Sequence, residues 1–380
     1  YSAEEFSRIA KKHDIAVKAL CGKLIVPNWP KFTQRLNECF FACCEDHPDQ
    51  EILTVGVCTT DSQQYARDES ALPDSPSAAS CASEYSPART PKECLKSFPT
   101  GGIIRPVLYC TAVEMLGLDE VHKKVLENWR KLSGCDAVPP EAAELGKKLD
   151  RRHSDLARSM AYRLRSIHRF PDGADIDDAI QLMFESHERE VNVAGVAAVA
   201  SSFANSGVCP MTNERVFKDQ TIRYALSLMY SCGMDQRSGM WAYNLGIPGK
   251  NSNLGAGMAV VPGVLGVCVH CPSAEFGERS AEETIRKYGT SEESYSLSRK
   301  GLDFFYHMEE SFNFHLFKRH DPVLRASDRH VDPTLYYGSV KHELTNQLIM
   351  ACASKDIYTV QYLLQLGVDP NVVDYDNRTA

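Results

Sequence analysis

The residues of this sequence that could most readily hold a metal form a short run of cysteine and histidine. Cys268 and Cys271 have the C-x-x-C spacing of zinc sites, His270 lies between them, and His307 and His315 follow downstream. A structural zinc site needs four converging ligands, commonly two such pairs, and the sequence has no second pair. We therefore predict that these thiols pack in the core and that the chain uses no metal or other cofactor.

A histidine, a serine and an acid follow one another at His153-Ser154-Asp155. These are the residue types of a hydrolase triad, in which the acid orients the histidine and the histidine activates the serine. Neighbouring residues on a helix point in different directions, so these three cannot form a triad by themselves. The turn Gly255-Ala256-Gly257 is likewise too short a signal to predict a phosphate-binding loop.

Composition excludes several classes of protein. The chain has 380 residues, a net charge of −8 and a pI near 5.9, without the basic stripe typical of nucleic-acid binders. Its longest weakly polar stretch, 257–269, is too short for a membrane helix, so neither nucleic acid nor a membrane is an expected partner. The 14 scattered cysteines favour a reducing compartment and free thiols. Length alone predicts two or three domains.

A few secondary-structure elements can be predicted in the first part of the chain, and they would position any functional site. Residues 1–47 have the apolar spacing of helices, and Ile52–Thr59 is β-branched and predicts a strand that Asp61-Ser62 would turn. Residues 66–99 are rich in serine, proline and alanine, which indicates a surface insertion. Beyond it, Ile103–Leu116 has the character of a buried helix.

The region 170–270 is the most regular part of the sequence. Asp175 is a candidate cap for a helix, and two further helices are predicted over Val193–Ala204 and Thr221–Met229. Pro262-Gly263 divides Val260–Val269 into a predicted pair of buried strands.

The C-terminal residues 342–380 have a different pattern. A short helix, a polar turn, a second helix and then Asp369-Pro370-Asn371 fit one ankyrin unit of about 33 residues. Since one repeat cannot bury its own face, we expect an array that continues beyond Ala380. An ordinary helical hairpin is the alternative.

Several motifs occur in the order and spacing of a known enzyme family. They are the segments Ala204–Pro210, Leu226–Met234, Gly246–Lys250 and Val260–Pro262. Together they resemble the serine-dependent glutaminases, which hydrolyse L-glutamine to L-glutamate and ammonia. Leu24–Pro27, Val55–Asp61 and the ankyrin-like C-terminus resemble the animal, kidney-type branch.

The resemblance implies an α+β fold that is β-lactamase-like, with a sheet flanked by helices beside a helical subdomain, followed by the start of an all-α ankyrin region. It implies three parts: an N-terminal helical region 1–47, a glutaminase-like domain 48–320 that contains the insertion 66–99, and an ankyrin repeat 340–380. It also implies chemistry by a Ser-x-x-Lys pair, in which lysine activates a weak serine nucleophile.

The two positions that carry this chemistry are altered. The alignment on Pro106 and the helix after it puts Gly102 at the serine position and Arg105 at the lysine position. Glycine offers no nucleophile, and arginine stays protonated and cannot act as a base. No Ser-x-x-Lys occurs anywhere else in the chain.

The positions that hold substrate in the family are altered as well. Ungapped counting from the motifs puts other residues where the family has a glutamate, an asparagine, two tyrosines and a hydrophobic side chain: Arg152, Ala157, Met183, Asp235 and Asn253. The family segment that supplies an asparagine and a central strand has no counterpart between Val121 and Asp150. The joint pattern predicts a pseudoenzyme with weak or no glutamine binding.

Three functions remain open from the sequence. The first is a catalytically impaired glutaminase relative that acts as a homo-oligomer, or as a hetero-oligomer with an active relative. The second is an active glutaminase, with L-glutamine as substrate, whose sequence is distorted by a gene-model error or whose nucleophile is not matched here. The third is an interaction protein that binds partners through ankyrin repeats. The resemblance suggests a mitochondrial location, with the cytoplasm as the alternative.

Overall fold

A computed structural model describes residues 14–20, 24–48, 52–71, 97–114, 118–133, 157–169, 173, 175–187, 189–252, 254–272, 297–317, 348–365, 370–371 and 379. Within them the chain divides into two compact units. One comprises residues 1–41, 244–246 and 305–380, and the other comprises 42–243 and 247–304.

The larger unit is built on a five-stranded antiparallel sheet. Its strands are β1 (Thr54–Thr59), β2 (Gln64–Asp68), β5 (Gly249–Asn251), β6 (Ala256–Val261) and β7 (Leu265–His270), in the order β2-β1-β7-β6-β5. A separate two-stranded sheet pairs β3 (Phe98–Pro99) with β4 (Glu190–Val191). Every residue of β1 and β6 is buried, which explains their continuous apolar sequence.

One apolar helix, α7 (Val193–Ala204), covers the sheet. Asn192 caps it by accepting a hydrogen bond from the Gly195 amide at 2.8 Å. Gly56 and Gly266 allow the close packing, because a side chain on either would collide with the backbone of this helix. This explains the small residues that the sequence places in α7.

The other helices surround this core or belong to the smaller unit. In chain order they are α1 (Asp14–Leu20), α2 (Trp29–Asp46), α3 (Arg105–Glu114), α4 (Leu118–Ser133), α5 (157–166), α6 (Ile176–His187), α8 (Asp219–Cys232), α9 (Ser238–Asn244), α10 (Arg299–Phe312), α11 (348–354) and α12 (Ile357–Gln365). Short 3₁₀ helices cover Glu69–Ala71, Gly101–Ile104 and Asp235–Arg237. No helix of the described residues is both long and apolar enough to cross a bilayer.

Most predicted elements are confirmed. Strands β6 and β7 form the predicted pair around Pro262-Gly263, and the β1–β2 turn occurs at Asp61-Ser62, where Ser62 adopts a φ of 72°. Helix α7 has the predicted bounds. In the C-terminal region, α11 and α12 are the predicted short helices with a polar turn, in which Asp356 accepts a hydrogen bond from Thr359 Oγ1 at 2.6 Å. That they form an ankyrin repeat stays a prediction.

Two boundaries were predicted wrongly. The proposed insertion 66–99 is too wide at both ends, since β2 extends to Asp68 and β3 begins at Phe98. The predicted helix over Ile103–Leu116 is a 3₁₀ turn over Gly101–Ile104 followed by α3.

Candidate functional site

Gly102, which the sequence resemblance places at the serine position, is buried in the 3₁₀ helix that leads into α3. The backbone of strand β5 lies directly against it. A Cβ atom on Gly102 would be only 2.9 Å from the carbonyl oxygen of Asn251 and 3.8 Å from Lys250 Cε. The first distance is shorter than real Cβ contacts, so any side chain here requires the backbone to move.

Lys250 is the most unusual group beside this glycine. Lys250 is only 7% exposed, although lysine is among the residues least often buried. Its ammonium group donates to the Gly233 carbonyl and to Asn251 Oδ1, each at 2.8 Å. Burial lowers the pKa of Lys250 to about 8. A lysine with such a pKa is partly neutral near physiological pH and can then accept a proton.

Hydrogen bonds to Gly233 hold strand β5 against the end of α8. Gly233 follows the last residue of the helix, and its carbonyl accepts from the Asn251 amide at 3.2 Å as well as from Lys250. A side chain on Gly233 would collide with the carbonyl oxygens of Gly249 and Met229. The lysine therefore places a cation at a helix C-terminus, where the backbone dipoles favour positive charge.

Two further charged residues act on Lys250. Asp235 Oδ1 lies 3.7 Å from its Nζ, on an aspartate whose side chain is 55% exposed and whose φ is 51°. This carboxylate raises the lysine pKa, against the effect of burial. Arg105, exposed at the start of α3, acts in the opposite direction through like-charge repulsion and lowers it.

The structure thus brings together three of the residues singled out in the sequence. Gly102, Arg105 and Asp235 surround Lys250, which the sequence analysis quoted as part of a motif without giving it a role. A signal existed, because Lys250 is a lone charge in a run of apolar and small residues.

Of the other residues singled out in the sequence, two lie on described helices. Met183 is half-buried on α6, and Ala157 packs beside Ala161, Ile176 and Ile180. Arg152 and Asn253 lie outside the described residues, as does the run His153-Ser154-Asp155.

The C-x-x-C run lies in the core, as predicted for its thiols. Cys268 and Cys271 are both fully buried, and burial holds the pKa of the Cys268 thiol far above its usual range. His270 stacks on Phe98 with ring centroids 4.0 Å apart, and burial lowers its pKa to about 4. Among the described residues no group of three or more histidine, cysteine or acidic side chains could hold a metal ion.

Comparison with known proteins finds relatives of this chain. The family model described as Glutaminase matches residues 119–284, a range that contains Lys250 and Asp235. Residues 119–284 are thus similar to the glutaminase family. A putative glutaminase 2 of Caenorhabditis elegans is 26% identical over 99% of this chain and 65% of its own length. The liver-isoform mitochondrial glutaminase of Rattus norvegicus is 24% identical over 96% of this chain and 63% of its own length.

Bacterial glutaminases share the fold. A probable glutaminase, ybaS, superposes with a TM-score of 0.57 at 16% identity and covers 75% of this chain and 99% of its own. A Bacillus glutaminase superposes with a TM-score of 0.56 at 15% identity. The predicted mixed fold of the glutaminases is therefore confirmed. The chain spans less than two thirds of the length of the animal glutaminases named above.

Proposed function

We propose that this chain is a glutaminase-family protein that does not hydrolyse L-glutamine by the serine-lysine route and acts through association. One observation carries the proposal: the backbone of β5 fills the space that a side chain at Gly102 would need. The packing around Gly102 thus leaves no room for a serine side chain, so Gly102→Ser alone would not restore a nucleophile.

The charges around the glycine support the same reading. Arg105 remains protonated at every physiological pH, so it cannot accept the proton of a nucleophile. Asp235 supplies a carboxylate where the family has a tyrosine hydroxyl. A carboxylate cannot donate a hydrogen bond as a hydroxyl can, whereas a hydrolase needs donors aimed at a developing oxyanion.

The association would be a homo-oligomer or a complex with an active glutaminase relative. The C-terminal helices α11 and α12 would add partner binding if they begin an ankyrin array. A mitochondrial location is proposed from relatives such as the mitochondrial glutaminase of Rattus norvegicus.

The test is release of ammonia and glutamate from L-glutamine, with phosphate present, by the purified full chain. Gly102→Ser/Arg105→Lys and Gly239→Ala are assayed beside it, the second as a control because nothing lies within 4 Å of a Cβ on Gly239. We expect all three proteins to match the blank. Turnover by the wild-type chain that persists through stringent purification would overturn the proposal.

A second candidate is an amidohydrolase that uses another base. Lys250 favours it, because a buried lysine with a pKa of about 8 can take a proton at neutral pH. Wild-type turnover that Lys250→Met abolishes, while Lys131→Met leaves it unchanged, would identify this candidate. Lys131 is a matched surface lysine on α4 that pairs with Glu214 at 2.7 Å.

A further inference from the structure

The amine of Lys250 lies close to the surface although its side chain is buried. Only 9% of that side chain is exposed, but Oδ1 of Asp235, 3.7 Å from Nζ, belongs to a side chain that is 55% exposed. Arg105, whose charge also acts on Lys250, is exposed at the start of α3. On this side the amine is therefore covered by exposed charged side chains and not by the apolar core.

The hydrogen bonds of the amine leave one direction open. Its two acceptors, the Gly233 carbonyl and Asn251 Oδ1, both lie at 2.8 Å. The distance of 3.7 Å to Asp235 is longer than an ordinary hydrogen bond. Two acceptors match the two N–H groups of a neutral amine, so the lone pair of a neutral Lys250 is left for a third direction.

A short turn fixes Asp235 beside this amine. Its φ of 51° lies in the left-handed region, which aspartate tolerates better than most residues but which still costs energy. The Ser238 hydroxyl supports the turn, since it donates to the Asp235 carbonyl at 2.7 Å and accepts from the Met234 amide at 3.1 Å. Backbone conformations of this kind are concentrated at functional sites. The turn thus positions a carboxylate that can exchange protons with Lys250.

Arg105 supplies a positive charge that is not used within the protein. Among the residues that the structure describes, its guanidinium group makes no hydrogen bond or ion pair. By contrast, Arg158, Arg215 and Arg299 each pair with an aspartate. A guanidinium group binds a carboxylate through two parallel hydrogen bonds. The surroundings of Lys250 therefore include a group that can bind an anionic ligand.

Burial makes the amine of Lys250 a nucleophile. It lowers the pKa to about 8, an effect that Arg105 reinforces and that Asp235 and Cys232 oppose. A lysine amine that is neutral near physiological pH can add to a carbonyl carbon and form a Schiff base. An amine with an open direction, a neighbouring carboxylate and an unpaired guanidinium group is suited to this reaction.

We propose that Lys250 forms a reversible Schiff base with a small 2-oxo acid whose carboxylate binds Arg105. The lone pair of Nζ attacks the carbonyl carbon, a C–N bond forms, and the carbonyl oxygen becomes a hydroxyl group that then leaves as water. Both protons of the amine leave with that oxygen, and Asp235 transfers them. The product is an imine between Nζ and the former carbonyl carbon, and the step needs no oxidant or reductant.

Charge and space favour a 2-oxo acid over other carbonyl compounds. Its carboxylate is attached directly to the carbonyl carbon, so one small molecule can contact both Arg105 and Lys250. A neutral aldehyde would gain nothing from Arg105, and the close packing of β5 on Gly102 leaves little room for a large ligand. The proposal does not depend on the proposed loss of glutaminase activity, because an imine can be detected whether or not ammonia is released.

The test is reductive trapping. The full chain is incubated with pyruvate and cyanoborohydride, and peptide mass spectrometry locates the carboxyethyl group left on lysine. We expect saturable labelling of Lys250. Methyl pyruvate has the same carbonyl group without the charge, so it should need about a tenfold higher concentration for half-saturation. Lys250→Arg keeps the positive charge but cannot form the imine, so it should abolish the label at this position.

Two further variants test the neighbouring residues. Arg105→Met should raise the half-saturating concentration of pyruvate about tenfold, because the carboxylate loses a charged hydrogen-bond donor. Asp235→Asn should slow labelling about 100-fold at about pH 9, since proton transfer by a positioned group contributes at least this much. At that pH the amine is mostly neutral in both proteins, so the change in rate does not come from its protonation.

Matched controls separate this site from the general reactivity of lysines. Lys131 on α4 is a surface lysine that pairs with Glu214 at 2.7 Å, and Arg223 is exposed on α8. Lys131→Met and Arg223→Met should be labelled at Lys250 as the wild type is, and thermal melts should show that all variants fold. Absence of label at Lys250, label spread equally over surface lysines, or unchanged half-saturation in Arg105→Met would overturn the proposal.

Discussion

The ammonium group of Lys250 donates to the carbonyl oxygen of Gly233 across 2.8 Å, and this bond ties strand β5 to the end of helix α8. The same carbonyl accepts from the Asn251 amide, so two neighbouring residues of one strand hold one helix terminus. The contact is short and buried, and a protonated lysine carries a charge into the interior. Loss of that proton removes the cost of burying the charge, so stability should depend on the protonation of the lysine.

The first prediction concerns pH. Burial lowers the pKa of Lys250 from 10.5 to about 8, so between these values the unfolded chain holds a proton that the folded chain has lost. The free energy of unfolding should therefore rise with pH across this window, by up to about 3 kcal/mol relative to Lys250→Met. Urea unfolding of both proteins at the two ends of the window measures the difference. Parallel pH profiles for wild type and variant would contradict the expected burial of the charge.

The second prediction concerns Gly102. Serine or alanine at this position must displace the Asn251 carbonyl, which lies 2.9 Å from the Cβ position. Overpacking of this kind costs about 1–3 kcal/mol, so Gly102→Ala should lower the urea midpoint. Gly239→Ala on α9 is the matched control, because its Cβ meets nothing within 4 Å and alanine favours a helix. If the urea midpoints of Gly102→Ala and Gly239→Ala were equal, β5 would move away from the new side chain without loss of stability, which would contradict this prediction.

Local sequence signals predicted the parts of this fold that depend on neighbouring residues. The pair β6 and β7 follows from two β-branched runs separated by Pro262-Gly263, and helix α7 follows from its run of small residues. Each of these elements is specified within about a dozen residues, by turn chemistry and periodicity. The packing of these elements against one another then follows from the rule that apolar faces are buried.

The site was harder to predict because it depends on residues distant in the sequence. Lys250 becomes unusual only when β5 reaches both the end of α8 and the turn that contains Gly102, and no local pattern specifies that meeting. The position of Asp235 beside Lys250 was missed for the same reason, because only the fold brings its Oδ1 to 3.7 Å from Nζ.

The third prediction concerns a second buried lysine. Lys300 is fully buried on α10, and its ammonium group lies 2.7 Å from Glu69 Oε1. Glu69 also accepts from the Leu53 amide at 2.7 Å. Glu69→Gln leaves a buried cation without its counter-ion, so it should cost about 3–5 kcal/mol in urea unfolding.

The surface pair Lys124–Glu127 provides the control for this prediction. Its side chains are 38% and 48% exposed, and its shortest distance is 2.8 Å. Glu127→Gln should change the free energy of unfolding by less than about 1 kcal/mol, because water screens an exposed pair. Similar losses for both variants would mean that burial of Lys300 adds nothing to the strength of its ion pair.

The last prediction concerns acid. Burial lowers the pKa of His270 from 6.5 to about 4, where the ring stacks on Phe98. Between these values the unfolded chain binds a proton that the folded chain excludes, so stability should fall as pH drops through the window, by up to about 3 kcal/mol. His270→Phe keeps an aromatic ring on Phe98 but cannot titrate, so its urea midpoint should change less between the two ends of the window. If wild type and variant lose stability equally, other groups account for the acid sensitivity and His270 is not the residue that resists protonation in the folded chain.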